Sequence, residues 1–260
     1  MIQSLRNSAA GINAQLNRMD ISSNNIANIS TNSFKRGRAE FADLLYGKMA
    51  DCGRPVNLTG NAGEPLMGSG SRVVAVNTVF EQGVVKETGR PLDIAISGNG
   101  FFRVELPDGS YAYTRDGNFQ LTSERTLVTA GGYKLQPEIT LPENYKSFDI
   151  TPGGTVIVTD DGGEATELGN ILLYKFPDGD GLKHTGGNLY AQTDQSGDAE
   201  EGVPGENGLG QLLQQNLEMS NVDLAEEMAV VIESQRALQA GAQSLKTADQ
   251  LWNIANNLRK

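Results

Sequence analysis

His184 and Cys52 are the only histidine and the only cysteine among 260 residues, which narrows the chemistry open to this chain. A metal centre on His184 would need carboxylates to complete its ligand set. No serine or cysteine signature accompanies it, and the adjacent Gly186-Gly187 reads as a surface turn. Cys52 by itself excludes an internal disulfide. Asp178-Gly-Asp180-Gly opens like a calcium loop, but Leu182 and Leu189 hold the fifth and twelfth positions, where oxygen ligands belong. That stretch reads as a hairpin turn. Gly68-Ser-Gly70 lacks the third glycine of a dinucleotide loop and has Val73 there. The 32 acidic residues could supply a glycosidase pair, but sequence spacing does not reveal one. Asn28-Ile-Ser30 and Asn57-Leu-Thr59 are formal glycosylation sequons of a kind common by chance. The reactive residues therefore lead to no catalytic site, no metal and no organic cofactor.

A different spacing does carry information. Leu5, Ile12, Leu16, Met19 and Ile26, continued by Ile2 and Ala9, recur in steps of three and four, the seam of a helix. The outward positions hold amides rather than charges: Gln3, Asn7, Asn13, Gln15, Asn17, Asn24 and Asn25. A solitary solvated helix is usually lined with Lys and Glu pairs, so the amide coat predicts an outer face that also packs against protein. A single seam of about 25 residues cannot bury itself, and a second helix must cover it. Leu224, Met228, Val231, Leu238, Leu245 and Trp252, interleaved with Gln235, Ala242 and Asp249, repeat the pattern at the other end. Ser220-Asn221, then Asp223, Glu226 and Glu227, make a capped acidic helix start. Such a pair fits an ordinary helical hairpin or a coiled coil. Length, absence of proline and location at both extremities favour the coiled coil.

Composition sets the remaining bounds. Hydrophobic content of 38% and charged content of 20% describe a soluble protein with material for a core. A net charge of −11 disfavours nucleic acid, whose phosphates need a basic surface. No apolar run approaches the roughly 18 residues that span a bilayer, and no cleavable signal is visible. By themselves these features read as cytoplasmic, a reading that fails if export uses no cleaved signal.

Glycine and proline divide the chain: all nine prolines lie between Pro55 and Pro204, so the ends are helical and the middle is not. The predicted architecture is α+β and multi-domain. Residues 1–71 are a helix and extended connector, 72–195 an inserted all-β domain, 196–223 a polar return linker, and 224–260 the pairing helix. Val74, Val76, Thr78 and Phe80 share one face of a period-two strand. Further strands are expected at 92–96, 101–106, 111–114, 118–121, 126–129, 155–158 and 171–176. Asp108-Gly109 and Asp116-Gly117 stand between them as hairpin signals, and Asp161-Gly162 and Asp178-Gly179 as turns.

Several stretches carry a family likeness. Ser23-Asn-Asn-Ile-Ala-Asn-Ile-Ser-Thr-Asn-Ser-Phe-Lys35 resembles the N-terminal signature of bacterial flagellar rod and hook proteins, its motif positions being Asn24, Asn25, Ala27, Asn28, Thr31, Phe34 and Lys35. Leu92-Asp-Ile-Ala-Ile-Ser-Gly-Asn-Gly-Phe-Phe102 and Tyr113-Thr-Arg-Asp-Gly-Asn-Phe119 resemble the β domain of that family. Leu217-Glu-Met-Ser-Asn-Val-Asp-Leu-Ala-Glu-Glu-Met228 is similar to its C-terminal motif, through Ser220, Asn221, Val222 and Glu226, followed by Gln235 and Arg236. The chain departs from the pattern where Ser33, Arg125 and Gln215 stand in place of usual glycines, and where Leu238 and Gly241 replace a usual Tyr and Asn.

The resemblance implies a structural, self-polymerising axial subunit of the basal-body rod that passes torque from motor to hook. Length places it nearest the distal rod segment, with the proximal rod next and the longer hook subunits behind. It further implies export by the flagellar type III apparatus without signal cleavage, and a site in the cell envelope, periplasmic or cell-wall-spanning. The implied partners are copies of the chain, other rod and hook proteins, the export apparatus and ring proteins around the rod, without nucleic acid or membrane insertion. The residues alone also admit an adhesin with a β head on a coiled-coil stalk, or a wall hydrolase working with two carboxylates. A stalk should carry a charged outer helical face, where this chain has amides.

Overall fold

The computed structural model describes residues 2–48, 66–142, 145–160 and 163–257. The chain is α+β, with a helix at each end and β-strands between them, and it divides into two compact units.

The first unit comprises Met1–Ala27, Gly37–Thr78 and Asp223–Lys260. Helix α1 spans Ile2–Ala27 and α2 spans Leu224–Asn257. The Asp223 carboxylate caps α2, accepting the N–H of Ala225 at 2.8 Å and of Glu226 at 3.4 Å. The helices lie antiparallel, as Ser8 with Ser244, Arg18 with Glu233 and Asn25 with Glu227 show. Strand Gly37–Asp43 pairs antiparallel with Ser71–Thr78, with a bulge between Glu40 and Phe41. The first of these strands lies in the stretch expected as a connector.

The second unit joins Asn28–Arg36 to Val79–Val222. Its main sheet has seven antiparallel strands in the order Lys183–Gly186, Leu189–Ala191, Tyr111–Thr114, Phe102–Glu105, Lys134–Gln136, Leu127–Thr129, Phe119–Leu121. A three-stranded sheet, Ser147–Ile150, Thr155–Thr159 and Ala165–Asn170, and three two-stranded pairs complete the unit. Its core includes Ile94, Ile96, Phe102, Phe119, Leu135 and Val156. An aromatic cluster gathers Phe101, Tyr113, Tyr174, Phe176 and Tyr190, with Phe80 edge-on to Phe101 and Tyr190. Phe80 therefore packs in the second unit, whereas Val74 and Val76 are exposed in the first and the strand itself ends at Thr78. Residues 196–223, expected as a linker, carry strands Glu200–Gly202, Gln211–Gln214 and Asn216–Glu218.

Asp108-Gly109 stands at a hairpin, Asp116-Gly117 does not, and Asp178-Gly179 is the expected turn but without a hairpin. Asp108-Gly109 joins two paired strands, as its chemistry predicts. Asp116-Gly117 makes no hairpin, because Tyr111–Thr114 and Phe119–Leu121 are not neighbours in the sheet. Gly117 is required for another reason: a Cβ there would lie 1.6 Å from the Ile94 carbonyl oxygen. Asp178-Gly179 forms a local turn, with the Asp180 N–H donating to the Asp178 carboxylate, but no hairpin follows it. Asp161-Gly162 lies outside the described residues. We expect Gly117→Ala to destabilise the second unit by about 3 kcal/mol or more, because the backbone of strand Ile94–Ser97 must move to admit the methyl group. Chemical denaturation of the purified monomer measures it, and an unchanged midpoint would refute this account.

The three glycine replacements occupy glycine-like backbone. Ser33, Arg125 and Gln215 have φ of 54°, 62° and 61°. Left-handed backbone is costly for a residue with a Cβ. Ser33 offsets part of that cost by donating its hydroxyl to the Arg115 carbonyl at 2.8 Å, and Arg125 by donating to the Pro142 carbonyl at 2.7 Å.

Candidate functional site

The N-terminal signature leaves α1 through a turn over 28–33, and its end runs between two other segments of the second unit. The Ser33 N–H donates to the Glu218 carbonyl at 2.8 Å, and the Val79 N–H to the Arg36 carbonyl at 2.9 Å. Asn221 completes the lacing: its amide oxygen accepts the Arg36 N–H at 2.8 Å and its NH2 donates to the Val79 carbonyl at 2.8 Å. An amide offers a donor and an acceptor on one planar group, so a single side chain satisfies two backbone segments.

Beneath this lies a buried ion network. Lys35 Nζ is 2.5 Å from Glu218 Oε1 and Arg115 Nε is 3.0 Å from Oε2, with the Lys35 and Glu218 side chains fully buried. The remaining polar atoms find backbone partners. Lys35 donates to the Glu81 carbonyl at 2.8 Å, and Arg115 to the carbonyls of Gly100 and Gly98 at 3.0 and 2.8 Å. The Gly83 N–H adds a bond to Glu218 at 2.9 Å, and a Cβ on Gly83 would meet the Met219 carbonyl oxygen at 2.1 Å. Sequence reading singled out Lys35 but neither Arg115 nor Glu218, though both lie inside motif stretches. Glu218 offered one signal, a charge between the apolar Leu217 and Met219, whereas Arg115, between Thr114 and Asp116, offered none.

The first unit has its own polar clamp. Asn25 is buried; its NH2 donates to the Gly37 carbonyl and to Glu227, and its oxygen accepts the Gly37 N–H, each at 2.9 Å. Of the other motif positions, Thr31 bonds Asn28 at the helix exit, Ser220 and Val222 are buried, and Phe34 is half-buried. Ala27, Asn24, Glu226, Gln235 and Arg236 are exposed.

On α2 the buried residues are Glu227 and Ser234, and seven residues further Gly241 meets α1, where a Cβ would sit 2.9 Å from Ile12 Cγ1. Val231, Leu238 and Leu245 are half-buried beside this small, polar line, as are Leu5, Ile12, Met19 and Ile26 of α1. The remaining expected seam residues, Leu16, Leu224, Met228 and Trp252, are exposed in the single chain. The apolar surface is thus unevenly spread. Of seventeen exposed large hydrophobic residues among the described residues, all but Val84, Tyr111, Tyr145 and Val203 belong to the first unit. Ala14 is the only hydrophobic residue buried there among the described residues.

Among the described residues no cluster of His, Cys, Asp and Glu could hold a metal ion, and no helix is long and apolar enough to cross a membrane. The whole chain has counterparts among known proteins. Residues 5–35 match the family model for the flagella basal body rod protein, 95–158 that for the flagellar hook protein FlgE/F/G D1 domain, and 213–258 that for the flagellar basal body rod FlgEFG protein C-terminal region. The chain is 42% identical over 266 residues to the flagellar basal-body rod protein FlgG of Borreliella burgdorferi, covering 100% of both. It is 42% identical over 260 residues to that of Buchnera aphidicola subsp. Schizaphis graminum, covering 99% of this chain and 100% of the relative. The relative from Caulobacter vibrioides is 40% identical over 261 residues, with 99% and 100% covered. With family segments at both ends and in the middle, and relatives aligned end to end, the chain belongs to the flagellar basal-body rod protein family, a structural family.

Proposed function

We propose that the chain is a subunit of the distal rod, which polymerises helically and transmits torque from motor to hook. One observation carries this reading: among the described residues the first unit buries a single apolar side chain, Ala14, and leaves thirteen large ones exposed, the seventeen less the four of the second unit. Soluble domains place apolar surface inward, and a large exposed apolar surface marks an interaction site. In this reading neighbouring copies supply the missing core and α1 and α2 pair as a coiled coil, while the second unit has its own core. A contact between two different faces of one chain does not close on itself and generates a filament. Other rod and hook proteins then cap its ends, ring proteins surround it, and the chain reaches the envelope by the flagellar export apparatus without a cleaved signal. The cytoplasmic reading of composition gives way to this one.

Electron microscopy of basal bodies from a strain lacking the protein tests the assignment. The expected particle has a rod truncated before its distal segment. A rod of full length would refute the distal position.

A further inference from the structure

Glu218 faces two cations, Lys35 and Arg115, and no other carboxylate pairs with them among the described residues. The buried group therefore holds two positive charges against one negative. Burial pushes the Lys35 ammonium's pKa down, the Arg115 guanidinium adds to the fall, and Glu218 offsets only part of it. The three residues also come from distant parts of the chain, and the carboxylate is the last of them to be made.

We propose that Lys35, Arg115 and Glu218 form a charge latch that keeps the second unit open in a growing chain until the C-terminal signature has emerged. Lys35 lies on the N-terminal segment that completes this unit, and Arg115 follows strand Tyr111–Thr114 of the main sheet. Bringing both into the interior before Glu218 is available would desolvate two like charges with only backbone carbonyls as partners. Once residue 218 arrives, its two oxygens take one cation each and strand Asn216–Glu218 pairs with Val85–Glu87. The fold of the unit then requires both ends of the chain, so a truncated or unfinished product stays unfolded. This inference rests on no part of the rod reading.

Amide hydrogen exchange on the full-length chain separates charge from packing. Glu218→Gln is expected to raise the opening constant of strands Ile94–Ser97 and Phe102–Glu105 about a hundredfold or more. Lys35→Met placed in that variant removes the repulsion and is expected to recover about tenfold, although it deletes a further hydrogen bond. A purely packing role predicts additional loss. Ribosome-arrested chains with residues up to 217 or up to 222 outside the tunnel then test timing by limited proteolysis. Protection of the second unit is expected only for the longer chain. Protection at 217, or failure of Lys35→Met to rescue Glu218→Gln, would overturn the latch.

Discussion

Changing Met228 and Ile232 together to aspartate is expected to abolish polymerisation while leaving the melting of the monomer unchanged. Met228 is 51% and Ile232 49% exposed, and with Leu224 they form one stripe of α2 at four-residue spacing. Full burial of such side chains is worth about 1.5–3 kcal/mol each, so covering the exposed half contributes about 1 kcal/mol apiece. Aspartates in their place add a desolvation cost of several kcal/mol. Each subunit contact then weakens by several kcal/mol, and about 1.4 kcal/mol is tenfold, which puts the loss near thousandfold or beyond. The monomer loses little, because about half of each residue already meets water. Sedimentation of the purified chain and swimming of the mutant strain measure the outcome. Filaments of normal length from the double variant would refute α2 as an assembly surface.

Leu238→Asp should have a comparable effect by another route. Leu238 is half-buried on α2, between Ser234, which is fully buried, and Gly241, which meets Ile12 of α1. An aspartate there sits where the two helices approach, and it must either lose hydration or stay protonated. The expected phenotype is a non-motile cell without a complete rod. The second unit should melt normally, since its core is built from its own residues. Gln239→Asp, at an exposed neighbouring position, tests whether charge alone matters and is expected to be milder. Normal swimming by Leu238→Asp cells would show that this helix line carries no assembly energy.

Local chemistry was legible in the sequence. Helix spacing and the Asp108-Gly109 hairpin depend on residues a few positions apart and appear where expected, as does the acidic start of α2, although its cap is Asp223 rather than Ser220-Asn221. The strand Gly37–Asp43 was not legible, because its alternation breaks at the bulge between Glu40 and Phe41 and its partner begins only at Ser71. Asp116-Gly117 misled for the converse reason. A turn signal says that the chain reverses, and it does not say which strands pair afterwards. Only the assembled sheet shows that Gly117 is needed for contact with Ile94.

The ends of the chain divide in the same way. By itself the sequence determined that both termini are helices with apolar stripes, that the middle is β, and that the signatures belong to one family. Which face of α2 meets α1 was left to tertiary structure. Helices approach closely where side chains are small, so Ser234 and Gly241 turn inward while the larger Met228 and Trp252 stay at the surface. The pairing of Lys35 with Glu218 was likewise beyond spacing alone, because a buried charge is located by whatever the fold brings to neutralise it.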